Sequence, residues 1–395
     1  MAARICDSTC NTDTNNFAEA NTDMKRVVLL YADAGGGHRS AAESIAKGIQ
    51  ALYADRYELS FVNGFRLLPP LLGRLDIDYP MWVTYGRMLY ALGFHASNGR
   101  RQVVAIRRAF EPISDKMAED IIKTAPADVY VSCHLVYNQT MPSVIRRLGS
   151  PARFMNVVTD LVSGHVAHYA PDVDYCIVPT EESARDAIAN LVPAEKVIVA
   201  GQPVLPDFRE RVGKRRETRE ALGLDQNTPV VLLMGGGDGM GRLELTAREI
   251  AFSNLPVQLV VICGRNQTVK HNLEFINARI PMRVLGFVNT VPELMGAADI
   301  LVTKAGPGTI AEGFIAGLPI ILYDRVPGQE EGNVDYVVNR GAGAWCPYPR
   351  TVVKQIRQWL SEPERLEAIR QASLALARPD SALEIARIVA RLAGD

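Results

Sequence analysis

The sequence predicts an α/β protein built from two Rossmann-like, doubly wound halves. Three observations point there. Its 395 residues exceed what one ordinary hydrophobic core organises and fit two domains. Short apolar runs alternate with helical patterns, the order expected of parallel sheets covered by helices on both faces. The alternation also begins twice, each time with a strand running into a glycine cluster, at 34–40 and at 235–241.

In the first half, 25–33 (KRVVLLYAD) is a nearly continuous apolar run opening onto glycines, as a strand buried on both faces should be. Further strands are expected at 57–63, 128–133, 154–160, 175–180 and 197–200, with helices over 39–53, 138–148 and 181–190. The second half has strands expected at 229–234, 257–263, 283–286, 300–303 and 319–323. A join near 202–211 gives an N-terminal domain over 24–205 and a C-terminal one over 206–380. The last segment, 381–395, carries a helical pattern long enough to pack back across the first half. Residues 1–23 are rich in Asn, Thr, Asp and Ala and lack an apolar core. They are expected to be a disordered tail, not a secretory leader.

Hydrophobic residues make up 48% of the chain and charged residues 22%, a globular balance. A net charge of −1 gives no support for broad nucleic-acid binding. The 6 cysteines are scattered without CxxC pairs, which fits reduced cytoplasmic thiols better than a disulfide framework or a zinc site. No stretch reaches the ~20 apolar residues that span a bilayer, so any membrane contact is expected to be peripheral.

Residues 64–112 break the alternation. Apolar and aromatic side chains such as Trp82 and Tyr85 are interleaved there with Arg66, Arg74, Arg87, Arg100, Arg101, Arg107 and Arg108, opposed only by Asp76, Asp78 and Glu111. Helices lying in a lipid interface have this make-up, because rings settle at headgroup depth and arginines pair with lipid phosphates. An ordinary helical insertion packing on the sheet has the same make-up.

The first glycine cluster, Gly35-Gly36-Gly37-His38, follows a strand and opens a helix. Glycines allow backbone N–H groups to approach a ligand, and the helix start favours negative charge. The cluster is neither a GxGxxG dinucleotide fingerprint nor a P-loop. His38 sits at the carboxyl edge of the sheet, where open α/β sheets bind ligands. A neutral imidazole there suits taking a proton from a hydroxyl; a helix-start histidine of no further role is the alternative. The second cluster, 235–241 with Gly236 and Gly237, holds five glycines in seven residues and suits a diphosphate better than a plain turn. In 303–312, strand, glycine turn and helix recur. Glu312 falls about one helical turn beyond Gly308, at the depth where a carboxylate accepts from both hydroxyls of a ribose. The loop with Gln329, Glu330 and Asn333 suits sugar hydroxyls, unless it is simply a solvated polar loop. Asp160, in Val158-Thr159-Asp160, either orients or charge-stabilises a histidine or caps a helix.

AGGGHRSAAESI, GGGDGMG and TKAGPGTIAEGFIAGLPIILYDRVPGQEEGN together resemble the monogalactosyldiacylglycerol synthase family, over about 27–345 and most densely in the last motif. Bacterial diacylglycerol glucosyltransferases and, more distantly, the peptidoglycan N-acetylglucosaminyltransferase belong to the same wider group. The resemblance implies a GT-B fold, two Rossmann-like domains facing a cleft with the nucleotide on the C-terminal one. It implies that Glu312 binds ribose and that Gly306, Gly308 and Thr309, with Gly236 and Gly237, surround the diphosphate, with Gly36 and Gly37 facing them. Backbone groups of Phe287 and Val288 would recognise uracil. Gln329, Glu330 and Asn333 would contact donor sugar and diphosphate, and His38 would be the catalytic base, with Asp160 beside it. Trp82, Tyr85, Arg87 and His165 are placed on the acceptor and membrane side. Plant synthases carry a Cys-His-Pro-Thr-Trp-like run where this chain reads 163–167 (SGHVA), a departure in the acceptor region.

The expected activity is an inverting transfer of a hexose, galactose favoured over glucose, from UDP-hexose to the free hydroxyl of diacylglycerol. No obligatory cofactor or metal is expected, since no DxD-like acidic pair stands in a suitable loop. The expected setting is the cytoplasmic face of a membrane, with contact to anionic lipid. UDP-sugar 2-epimerases share the fold but need no lipid, and the basic, aromatic 64–112 segment separates a lipid enzyme from them; a UDP-sugar sensor, which would bind UDP-sugar and make no glycolipid, is a further alternative.

Overall fold

The computed structural model describes residues 24–70, 72–162 and 164–395. The expected tail, 1–23, lies outside the described residues. Two six-stranded sheets carry the chain, and every strand pairing in both is parallel. The first holds β1 (Lys25–Tyr31), β2 (Tyr57–Asn63), β3 (Val129–Ser132), β4 (Arg153–Val157), β5 (Tyr175–Val178) and β6 (Val197–Val199), in the order β2-β1-β3-β4-β5-β6. The second holds β7 (Val230–Met234), β8 (Gln258–Ile262), β9 (Met282–Leu285), β10 (Ile300–Lys304), β11 (Ile320–Asp324) and β12 (Gly343–Trp345), in the order β12-β11-β10-β7-β8-β9.

Alternate residues of β1 serve opposite layers. Val27, Leu29 and Tyr31 enter one apolar cluster, while Val28 and Leu30 enter the other. A strand covered on both faces must be apolar throughout, and for that reason the run was visible in the sequence. The second sheet is covered the same way. The expected strand 154–160 is shorter than its apolar run: β4 ends at Val157, and Thr159 and Asp160 turn out of the sheet. The half-buried β12 was not expected; its three residues are too few to make an apolar run.

Within 64–112, helices α2 (Tyr79–Tyr85), α3 (Arg87–Ser97) and the start of α4 (Arg100–Thr124) follow a 3₁₀ turn at Gly64–Leu67. The buried Asp76 carboxylate pins this segment to the first sheet, accepting from Asp33 N at 3.2 Å and Asn63 Nδ2 at 2.8 Å.

The C-terminal helix Ser381–Ala393 joins the core of the first sheet through Ile385, Ala386, Ile388 and Val389, crossing α1 (Gly37–Tyr53). The two helices approach so closely that a Cβ on Gly48 would lie 2.5 Å from the carbonyl oxygen of Ala382. Gly48→Ala is therefore expected to cost about 1–3 kcal/mol, as overpacking does. In urea denaturation of the full chain its midpoint should drop, while Lys47→Ala, one position away and exposed, should move it by no more than about 0.5 kcal/mol.

Candidate functional site

In each sheet the strand order reverses once, and crossovers leave in opposite directions on either side of that point. In open α/β sheets that point, at the carboxyl ends of the strands, is where ligands bind. In the first sheet the reversal lies between β1 and β3, where Gly35 to His38 follows β1 and Cys133-His134 follows β3. In the second it lies between β7 and β10, so the glycine loop 235–241 and the turn 305–308 stand side by side.

His38 stands at the first of these points. Its Nδ1 lies 2.8 Å from the Cys133 carbonyl oxygen and 2.9 Å from Thr159 Oγ1. A carbonyl only accepts, so Nδ1 carries the hydrogen and Nε2 keeps its lone pair. Burial lowers the imidazole pKa to about 4, against an upward pull from Asp160. At neutral pH the ring is therefore uncharged and able to accept a proton. His134 stands edge-on to it at 4.6 Å, also held neutral by burial.

Asp160 is buried one residue beyond Thr159. Its Oδ1 accepts from Gln329 Nε2 at 3.0 Å, and its Oδ2 lies 3.2 Å from His168 Nε2. Burial pushes this carboxyl up, but His168 and Gln329 outweigh it and bring the net shift below the usual value. Asp160 does not cap a helix, and its nearest imidazole is His168, not His38.

The other wall belongs to the second sheet. Pro307–Ile315 forms a helix whose start, at Gly306, lies against Lys304. A Cβ on Gly308 would meet nothing, so the backbone at this helix end is uncovered. Glu312, half-buried on the same helix, has no hydrogen-bond or ionic partner among the described residues, and burial raises its carboxyl to about 7. A carboxylate so placed is satisfied by two hydroxyl donors. Gly236, with φ of +72°, brings its backbone beside Lys304, and Gly237 lies beside Arg265. Thr309 is half-buried on the same helix, and the exposed Phe287 and half-buried Val288 follow β9 at the rim.

Gln329, Glu330 and Asn333 divide into different tasks. Glu330 and Asn333 are buried and turn inward: Glu330 accepts from Lys304 Nζ at 2.6 Å and Val326 N at 2.8 Å, and Asn333 Nδ2 donates to Ala305 O at 2.9 Å. They shape the loop. Gln329 alone of the three reaches across to Asp160.

Of the residues expected on the acceptor side, Trp82 and Tyr85 are exposed, at 45% and 88%. Arg87 faces the other way. Its guanidinium grips Asp324 at 2.7 and 3.1 Å and the Arg325 carbonyl at 2.7 Å, joining α3 to the second domain. Its partner sits 237 positions away, so nothing in the sequence distinguishes it from the other arginines of the segment. His165 meets Phe94 edge-on at 5.2 Å and pairs through Nε2 with Ser97 Oγ at 3.1 Å, fixing the loop after Asp160 to α3.

Arg265 escaped the sequence reading. It follows β8, lies across Phe287 with 5.4 Å from guanidinium to ring centre, and pairs with Asp238 at 2.9 Å. Its terminal nitrogen would stand 3.3 Å from a Cβ on Gly36 and 3.4 Å from one on Gly237. One cation thus touches both glycine turns, and no Rossmann-type motif signals it.

A family model described as monogalactosyldiacylglycerol (MGDG) synthase matches residues 38–204, and one described as glycosyltransferase family 28 C-terminal domain matches 230–385. Monogalactosyldiacylglycerol synthase of Spinacia oleracea chloroplasts is 37% identical over 91% of this chain and 71% of its own length. The Arabidopsis thaliana chloroplast synthase 1 is 35% identical over 91% of this chain and 70% of its own length. Among solved structures, Acinetobacter baumannii MurG superposes with a TM-score of 0.60 at 17% identity, covering 93% of this chain and 99% of that one. The Neisseria meningitidis UDP-GlcNAc 2-epimerase bound to UDP-GlcNAc gives 0.58 at 13% identity, covering 93% and 100%. These structures share the GT-B arrangement of two facing parallel sheets.

The unpartnered Glu312 has a pH signature in the free protein. Its folded pKa, about 7, lies above the unfolded value, so the native state loses stability as pH rises from the unfolded pKa to the folded one. Glu312→Gln should therefore stabilise the chain by about 1–2 kcal/mol above pH 7, after discounting for solvent at the carboxylate, and by nothing near pH 4. Urea titrations at both pH values read this directly; equal effects at the two would contradict it.

Proposed function

The chain belongs to the monogalactosyldiacylglycerol synthase family, and on that footing we propose that it transfers galactose from UDP-galactose to the free hydroxyl of diacylglycerol, making a galactolipid. The observation that carries the reading is the cross-cleft sequence of contacts from His38 through Thr159 and its neighbour Asp160 to Gln329. It sets a neutral imidazole against the loop that would hold the donor sugar.

In the proposed reaction the acceptor oxygen attacks the anomeric carbon on the face opposite the diphosphate. The bond from that carbon to the β-phosphate oxygen breaks, its electron pair leaves on UDP, and the configuration inverts. The hydroxyl proton passes to His38 Nε2, and the imidazolium that forms is favoured by the nearby Asp160 carboxylate. Negative charge growing on UDP meets Arg265, Lys304, the Gly236 and Gly237 backbone and the helix start at Gly308. Glu312 takes the ribose hydroxyls, and the Phe287-Val288 backbone takes uracil. Preorganised donors need no rearrangement as charge develops, so the chain itself supplies much of the charge compensation.

Access to a lipid acceptor is supported by the outer side of the insertion. Met81, Trp82, Tyr85, Met88, Leu89 and Leu92 are all exposed, with Tyr85 and Met88 at 88% each. They form an apolar, aromatic patch of the kind that seats at headgroup depth, and Arg100 and Arg101 at the start of α4 are exposed as well. No described helix is long and apolar enough to cross a membrane, so this patch is the proposed contact.

His38→Ala is expected to keep UDP affinity within about twofold while turnover falls by at least about 10²–10⁴. Incubation with diacylglycerol vesicles and either UDP-galactose or UDP-glucose, followed by identification of the lipid product, tests activity and donor together. Near wild-type turnover in that variant would refute the base assignment. Tyr85→Ser/Met88→Ser should weaken flotation with vesicles about tenfold or more, each apolar side chain supplying on the order of 1 kcal/mol. UDP binding to the double variant should not change.

A further inference from the structure

The face of the insertion opposite the exposed patch touches the donor loop. Tyr79 Oη donates to Gln329 Oε1 at 3.1 Å, and Tyr90 Oη donates to the same oxygen at 2.8 Å. Gln329 Nε2 donates to Asp160. The Asp160 carboxylate can only accept, so the amide nitrogen faces it and the oxygen faces the phenols; the orientation of the Gln329 amide is chemically determined. Burial keeps both phenols protonated, hence donors, far above neutral pH. The rings hold each other edge-on at 5.8 Å, and Tyr79 also rests on Gly35, where a Cβ would come within 3.2 Å of its ring. Arg87 on Asp324, and Phe94 against Gly328, hold the same two segments together on either side.

We propose that Tyr79 and Tyr90 are positioning residues for the donor hexose, fixing the Gln329 amide in the orientation in which it meets the sugar. This rests on the reading of the 327–333 loop as the hexose site. The donor sugar site is then completed by the acceptor-side domain, on the element that carries the lipid-facing patch.

The test compares UDP-galactose with UDP by calorimetric titration of the full chain, in wild type, Tyr90→Phe and Tyr79→Phe/Tyr90→Phe. Phenylalanine keeps the ring packing and removes only the O–H. Loss of two neutral hydrogen bonds on one amide should weaken UDP-galactose binding about tenfold and raise its KM in parallel, while UDP affinity stays within about twofold. Tyr90→Phe alone should give an intermediate loss. Unchanged UDP-galactose affinity in the double variant would overturn the proposal, as would a loss shared equally by UDP, which marks general damage to the domain. Failure of the wild type to make galactolipid, or to bind UDP-galactose differently from UDP, would overturn the hexose-site reading itself and the proposal with it.

Discussion

A parallel sheet cannot be closed by hairpins. Every connection must cross from one edge to the other, so all strands end at the same side, and the loops leaving those ends gather wherever the strand order reverses. This chain meets the constraint twice. The first sheet puts Gly36 and His38 beside Cys133, and the second puts Gly236 and Gly237 beside Lys304 and Gly306. Between the two edges the Arg265 guanidinium meets both Gly36 and Gly237, and Tyr79 stands between Gly35 and Gln329. The turns at Gly36 and Gly236, at φ of +78° and +72°, fold the backbone as glycine allows, so that peptide groups stand beside the His38, Arg265 and Lys304 side chains.

The free site holds its charges in unequal states. His38 is kept neutral by burial, Asp160 is kept ionised by His168 and Gln329, and Glu312 is left without a donor and pushed toward protonation. Neighbouring titratable groups driven apart in this way can take up different tasks at one pH. In the proposed reaction the imidazole accepts a proton and the Asp160 carboxylate sits where positive charge would develop. The Glu312 carboxyl carries a desolvation cost that, on the same proposal, ribose hydroxyls relieve on binding. The buried Asn333 Oδ1 and Thr303 Oγ1, both without hydrogen-bond partners among the described residues, belong to the same second-sheet edge.

The sequence made the sheets legible because parallel strands are buried on both faces, and VVLLY or VVLLM has no other economical use in a chain of this composition. The glycine turns were legible for the complementary reason, and Glu312 because it lies a fixed helical distance from one of them. Contacts between the halves were not. Tyr90 and Gln329 are 239 positions apart, Asp160 and Gln329 are 169 apart, and neither pair belongs to one element. Arg265 closes on Gly36 only after both sheets have formed. Asp160 was recognised as a candidate partner for histidine, but which histidine depends on the turn that brings His168 beneath it.

The composition of the insertion at 64–112 allowed a lipid-facing helix or an ordinary packed one. The helices at Tyr79–Ser97 expose apolar groups on one side and turn Tyr79, Arg87, Tyr90 and Phe94 to the second domain on the other. Such an arrangement ties two events that the chemistry needs together. A galactosyl donor opposed by no acceptor is exposed to water, so a donor site fully formed away from the lipid would favour hydrolysis. When the segment that contacts the 327–333 loop also carries the apolar patch, a shift of the patch bears on the contacts on Gln329 and Asp324 as well. Coupling of this kind requires only that the two faces share one element, and α3 carries both, with Arg87 and Tyr90 on one side and Met88, Leu89 and Leu92 on the other.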